Sequence, residues 1–429
     1  MGKLEQVATP SSTPATVPQP WLTDPAGYHR EIDAAVRDAG LDAPVLALDL
    51  VALEHNIADL RARSGGVPIR LASKSLRVRS IIDDVVARDG FAGVLAYDVA
   101  EARWLATESN ISDVLLGYPT VRRSALAELL ADEVALTRVT LLVDDIAQLD
   151  LIDSVCSPER RRPVRVAIDL DASLRLLRGR IHLGVRRSPV HDRAAALTLA
   201  RAIVARRGFA LVGVMSYEAQ VAGVADDVDG TPLMNAATRA MQRVSMIELR
   251  RRRGAIISSL RELADIEIVN AGGTGSLEET ARDSSVTDIA AGSGLFGGHL
   301  FDGYRRFQPA PALTFGLDVT RRPARRIITC AGGGWIASGP PAPDRLPRPV
   351  WPAGLSYIGT EAAGEVQTPL TGDAASSLVP GDRVWFRHTK SGEVCERART
   401  VALIGREENG RARVVDLVPT YRGEGKCYL

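Results

Sequence analysis

The chain of 429 residues is too long for one ordinary hydrophobic core and suggests about two domains. Its 45% apolar and 24% charged residues exclude a disordered or fibrous protein and fit a globular one. With 53 Lys and Arg against 52 Asp and Glu, net charge gives no reason to expect nucleic acid or an acidic membrane as partner.

The first residues, Met1 to Pro20, are polar and contain Pro10, Pro14, Pro18 and Pro20. They read as a disordered tail over residues 1–20, followed by a lead-in helix over 21–42. From Ala43 onward short apolar runs alternate with amphipathic helical segments. The expected strands are Val45–Leu48, Ile69–Ala72, Gly93–Ala96, Val114–Gly117, Val139–Val143, Val164–Asp169, Leu211–Met215, Ile266–Val269 and Ile289–Ala291. Long helical stretches over Asp192–Arg206 and Asn235–Leu249 separate the later ones. Such βα units imply a parallel sheet, and eight or nine of them suit a closed (β/α)8 barrel over residues 43–300. The clusters Arg160–Arg162 and Arg250–Arg253 read as solvated helix ends or loops.

After about Phe301 the pattern changes. Prolines accumulate, and β-prone runs such as Arg326–Thr329 and Arg383–Phe386 predict a mainly β C-terminal domain over 301–429. No apolar run reaches the ~18 residues that span a bilayer. Cys156, Cys330, Cys395 and Cys427 form no close-spaced metal motif, so reduced thiols in a cytoplasmic protein are expected.

Polar residues recur just after the apolar runs: Lys74, Tyr97, Tyr217–Glu218, Asn270 and Ser293. In a barrel these positions form the C-terminal rim, where active sites assemble. An amine placed there, as at Lys74, can form a Schiff base. The segment Ala271-Gly272-Gly273-Thr274-Gly275-Ser276 offers backbone amides and hydroxyls to an anion, and Ala291-Gly292-Ser293-Gly294 offers a second set. Neither segment carries the Walker or dinucleotide pattern. His388 and Cys395 are chemically suited to zinc, with Glu393 as a further oxygen donor; a solvent-facing histidine beside a packed cysteine is the equal alternative.

Taken together, five segments resemble the fold-type III pyridoxal phosphate enzymes over roughly residues 43–420. They are Ala43–Ile57, the Lys74 segment, Val214–Glu218 with Asn270–Thr274, and Gly381–Cys395. The branch they resemble contains D-threonine aldolase and D-serine dehydratase. The resemblance implies a pyridoxal 5'-phosphate cofactor carried by Lys74, with Tyr217 beside it and Gly272, Gly273, Thr274, Ser293 and Gly294 holding its phosphate. It also implies a basic residue within Arg175–Arg187, Arg175 being the first candidate, near the pyridine nitrogen or the substrate carboxylate. A Zn²⁺ or Mn²⁺ ion on His388 and Cys395, and a homodimer, follow from the same resemblance. The family's metal pair is a histidine and a cysteine or aspartate with one residue between them, whereas here Cys395 comes seven residues after His388. The segment Leu176–Ile181 reads as an insertion. The implied activity is cleavage or dehydration of a D-3-hydroxy amino acid; the alternatives are an amino acid racemase and a non-catalytic pyridoxal phosphate-binding protein.

Overall fold

The computed structural model describes residues 19–429, so the expected tail lies outside the described residues apart from Gln19 and Pro20. The lead-in segment forms two helices, Pro20–Thr23 and Pro25–Asp38. Asp24 caps the second by accepting from the Gly27 amide at 2.9 Å, which satisfies one of the helix's free N-terminal donors. Tyr28, Ile32 and Val36, at helical spacing, form its buried face.

Strand β1 (Val45–Asp49) follows, and then the barrel begins. Its strands are β2 (Ile69–Ala72), β3 (Phe91–Ala96), β4 (Val114–Leu116), β5 (Val139–Val143) and β6 (Val164–Asp169). A small antiparallel hairpin, β7 (Leu174–Leu176) and β8 (Ile181–Leu183), then interrupts the series, and the expected insertion is its tip. The barrel closes through β9 (Phe209–Ser216), β10 (Ile268–Ala271) and β11 (Asp288–Ala291), which pairs in parallel with β2. Its wall therefore has eight parallel strands, in the order β2-β3-β4-β5-β6-β9-β10-β11.

The remaining strands are β12 (Leu313–Ala324), β13 (Ile327–Ala331), β14 (Arg348–Trp351), β15 (Leu355–Tyr357), β16 (Gln367–Gly372), β17 (Arg383–Arg387), β18 (Thr400–Arg406) and β19 (Ala412–Pro419). They form a nine-stranded sheet together with β1. The run at Val45–Leu48, expected to open the barrel, is thus a strand of the other sheet, antiparallel to β12 and parallel to β18. All five residues of β1 are buried. A strand covered on both faces shows the same unbroken apolar run as a barrel strand, which is why the pattern could not separate the two. Asp49 then ties this sheet to the barrel. Its carboxylate accepts from the Val51 amide at 2.8 Å, capping the helix Leu50–Arg63, and from Arg406 at 2.7 Å.

The inside of the barrel is filled by Leu115, Leu142, Ala167, Met215 and Ile268, with Leu95 packed against them. Its N-terminal end is closed by Arg70, which bonds Asp288 at 2.9 Å and Asp113 at 2.7 Å. Two arginines expected in solvent are buried instead. Arg253, inside the helix Pro232–Arg261, has no exposed side-chain surface and pairs with Asp283 at 2.8 Å. Arg161 is buried against Asp153. Each acid partner comes from a different segment, so local charge density carried no sign of the pairing. All four cysteines are unpaired. Among the described residues no helix is long and apolar enough to cross a membrane.

Candidate active site

Lys74 occupies a single turn, Ser73–Ser75, directly after β2, and so stands at the C-terminal mouth of the barrel. It is exposed, and its ammonium donates to the Tyr118 hydroxyl at 2.9 Å. Tyr118 follows β4, two strands away around the wall. The turn is fixed from beneath by Arg77, which is buried in a left-handed conformation (φ +55°). Its Nε donates to the Lys74 carbonyl at 3.2 Å, and its Nη1 pairs with Glu396 of the β domain at 2.9 Å.

The strand alternation that points Leu142, Ala167 and Met215 into the barrel also points the residues two further on inward, at the mouth. These are Asp144, Asp169 and Tyr217. Asp144 and Asp169 follow the register pair Val143–Ile168 on adjacent strands and so stand side by side. Burial, reinforced by the Asp144 charge and opposed by Arg187, pushes the Asp169 carboxyl up to about 7. The Arg187 guanidinium lies over both the Tyr118 ring at 5.9 Å and the Tyr217 ring at 5.7 Å. Arg175 sits in the β7–β8 hairpin and is bound to Asp171 at 2.6 Å. Of the two ends of the expected arginine region, Arg187 is therefore the one beside the aromatic pair.

The two glycine segments come together at this mouth. Ser293 Oγ donates to Thr274 Oγ1 at 3.2 Å, and the Gly294 amide donates to the same oxygen at 3.3 Å. A side chain at Gly273 would press on Ala222 at 2.9 Å and on the Tyr217 ring at 3.3 Å; one at Gly292 would strike the Ala72 carbonyl at 2.7 Å. Glycine is what lets both loops approach Tyr217 and the Lys74 strand this closely. Gly272 is held at φ +80° while its amide donates to Glu218 at 2.9 Å. Glu218 is fully buried and also accepts from Thr280, with Arg253 at 3.8 Å. The buried Arg253–Glu218–Asp283 group thus anchors the glycine loop from behind. These residues fit a phosphorylated pyridoxal: an amine at a strand end, an aromatic ring beside it, and a side-chain-free cradle for an anion.

The pair His388 and Cys395 does not fit a metal centre. The Nδ1 of His388 is 2.9 Å from the Leu313 carbonyl, and its Nε2 faces the Ser391 hydroxyl at 3.0 Å. Burial, and then the neighbouring Arg387, lower its pKa to about 3, so the ring is neutral and both nitrogens are committed. The Cys395 thiol is buried and pushed up to about 12. Glu393 is engaged with Ser338. Among the described residues no three or more His, Cys, Asp or Glu side chains are grouped to hold a metal ion. His388 instead links the barrel to the second sheet through Ser391, whose Oγ lies 3.0 Å from His388 Nε2 and 2.8 Å from the Ser293 carbonyl oxygen.

Tyr118, Asp144, Asp169 and Arg187 were not foreseen individually. The signal for the aspartates was available, since each stands one strand-repeat beyond an inward apolar residue. Asp169→Asn should leave a clear trace in stability. With its folded pKa raised to about 7, Asp169 contributes stability that is complete below its unfolded pKa and is lost as pH rises through about 7. Asparagine cannot ionise, so the variant's melting temperature should fall less than the wild type's between pH 5 and pH 8. Identical pH dependence in the two proteins would remove the assignment.

A family profile described as alanine racemase, N-terminal domain, matches residues 48–299. Among solved structures, D-threonine aldolase from Filomicrobium marinum is 21% identical with a TM-score of 0.71, over 89% of this chain and 95% of that one. A D-threo-3-hydroxyaspartate dehydratase mutant in its metal-free form is 17% identical with a TM-score of 0.68, over 89% and 97%. An alanine racemase-like protein from Idiomarina loihiensis is 14% identical with a TM-score of 0.62, over 89% and 98%. At these identities the structural likeness concerns the fold. No curated protein matches the sequence.

Proposed function

Because the chain belongs to the family defined by the alanine racemase N-terminal domain, we propose that it is a pyridoxal phosphate-dependent lyase of D-3-hydroxy amino acids. The reaction is aldol cleavage of a D-threonine-like substrate or dehydration of a D-serine-like one. The observation that carries this reading is the position of Lys74. Its amine stands at the first barrel strand's end, bonded to Tyr118, with Tyr217 and the joined glycine loops at the same mouth. The named structural neighbours include an aldolase and a dehydratase, so the fold is one on which such reactions are carried out.

Pyridoxal phosphate, when bound, supplies an electron sink for bonds at the amino acid's Cα. The protein's part is binding, orientation and proton placement. The Lys74 amine would hold the cofactor, and Gly272, Gly273, Thr274, Ser293 and Gly294 would receive its phosphate. The Tyr118 hydroxyl, at hydrogen-bond distance from Lys74 Nζ, is placed to take or return a proton there. Tyr217 and Arg187 form an aromatic and cationic wall, and Arg187 offers a planar donor set to a carboxylate or a ring nitrogen. Asp169, with its pKa near neutrality, is suited to hold or release a proton inside the mouth.

The commitment of both His388 nitrogens favours a second reading, in which the residues at the mouth only exchange the α-proton and the enzyme is a racemase. One incubation series separates the readings. Protein loaded with pyridoxal phosphate is mixed with D- and L-serine, threonine and alanine, with and without chelator, Zn²⁺ or Mn²⁺. Glycine plus aldehyde, or a 2-oxo acid plus ammonia, from the D-3-hydroxy substrates is the expected result. Interconversion of enantiomers alone supports the racemase, and inertness toward all of them rejects the proposed substrate class.

A further inference from the structure

The inward side of the helix Pro232–Arg261 is set by Met246, Leu249, Arg253, Ile256 and Leu260, all buried. On a surface helix the opposite side is normally polar. Here it carries Leu233, Ala237, Ala240, Val244 and Ile247, in alternating steps of four and three residues, the spacing of a coiled-coil seam. All five are exposed, Leu233 to 87%, Val244 to 50% and Ile247 to 47%. At about 100° per residue this stripe lies roughly half a turn from Leu249, so it is not an edge of the core.

The two ends of the stripe differ in shape and in charge. Toward the C-terminal end Val244, Ile247, Glu248 and Arg251, at i, i+3, i+4 and i+7, line an open hollow. Four residues so spaced form the hole that receives one side chain of a facing helix. Toward the N-terminal end Leu233 projects as the most exposed large apolar side chain among the described residues. Ala237 and Ala240, between these ends, let a second backbone come close. In the loop before the helix Asp227 and Asp229 are exposed, with no side-chain partner among the described residues. Arg243 and Arg251 are exposed and unpaired in the same sense, whereas Arg250 and Arg252 are taken by Glu279 and Glu248. The ends of one rigid helix cannot meet each other. They meet when two copies lie antiparallel about a two-fold axis at Ala240. Leu233, seven residues before the axis, then falls at Ile247, seven after it, and Asp229, eleven before, falls at Arg251, eleven after. A parallel pair would instead set Arg251 against Arg251 and Asp229 against Asp229.

We propose that this face of the helix Pro232–Arg261 is a self-association surface, whose partner is a second copy of the chain packed antiparallel with Ala240 on the two-fold axis. The contact does not depend on which reaction the barrel performs. It is measured by sedimentation velocity of the full chain over a range of concentrations. Wild type should associate. Ala240→Glu sets two carboxylates face to face on the axis and should halve the mass of the assembly at concentrations where wild type is fully associated. Asp229→Arg and Arg251→Asp each oppose like charges twice in the symmetric pair, so each should weaken association about tenfold or more. Combined in one chain they exchange the signs and should restore association to within about threefold of wild type, a rescue that a change in folding would not give. Melting curves show which variants are folded, and the two charge variants, at exposed positions, decide if Ala240→Glu is not. Association that Ala240→Glu leaves untouched, or a double variant as weak as the single ones, overturns the surface. A wild type that stays monomeric also overturns it and leaves the stripe to a different partner.

Discussion

Lys74→Ala is expected to lower turnover by on the order of 10⁴-fold or more, the scale on which covalent catalysis fails when its nucleophile is removed. The loss should be chemical and not structural. Lys74 is exposed, and its one hydrogen bond among the described residues runs to Tyr118, so the variant should melt within a degree or two of wild type. Weak cofactor retention is expected to persist through Gly272, Gly273 and Gly294, because the glycine loops are anchored independently by Glu218 and Thr274. Tyr118→Phe should give a smaller loss of about 10² to 10⁴, as removal of one positioned proton donor does, while leaving the covalent attachment in place. A Lys74→Ala protein with turnover within tenfold of wild type would end the assignment.

The second large effect concerns stability. Asp288→Ala would leave Arg70 in the barrel interior, 2% exposed, with Asp113 as its remaining carboxylate. One of its nitrogens, Nη1, already has no partner, and Asn270, which donates to Asp288 at 2.5 Å, would lose its acceptor as well. Breaking a buried ion pair on one side costs roughly 3–5 kcal/mol, because the surviving charge stays out of water. For a barrel of this size that amounts to about 6–20 °C in melting temperature. Replacing both partners together, Arg70→Met with Asp288→Leu, should recover part of the loss, since no charge is then left buried and Asp113, 42% exposed, stays in water. Chemical denaturation giving less than about 1 kcal/mol for Asp288→Ala would contradict this account of the closed N-terminal end.

These two sites also mark what the sequence could and could not convey. The barrel strands were legible because each is a short apolar run followed by an amphipathic helix, a signal local to some thirty residues. The glycine segments and Lys74 were legible because rim residues follow strands directly. Strand β1 was misplaced because an unbroken apolar run says that both faces are covered without saying by what. Arg253 and Arg70 were hidden for a related reason: an arginine's solvation depends on acids such as Asp283 and Asp288, which only the fold brings near. The choice between Arg175 and Arg187 failed on geometry, since the β7–β8 hairpin carries Arg175 to Asp171 and the return of the chain brings Arg187 over Tyr118 and Tyr217. The surroundings of the expected metal pair were not legible, because Leu313 and Ser391, which face the two nitrogens of His388, could not be placed from spacing.

The central claim is that Lys74 carries the cofactor, and the chain's composition makes it directly testable, with only Lys3, Lys74, Lys390 and Lys426 to distinguish. Protein loaded with pyridoxal phosphate is reduced with borohydride, digested and mapped by mass spectrometry. The reduced pyridoxyl group is expected on the peptide containing Lys74, at close to one equivalent per chain, with the other three lysines unmodified. A stoichiometric adduct on Lys390 or Lys426, or no adduct at saturating cofactor, would contradict the account.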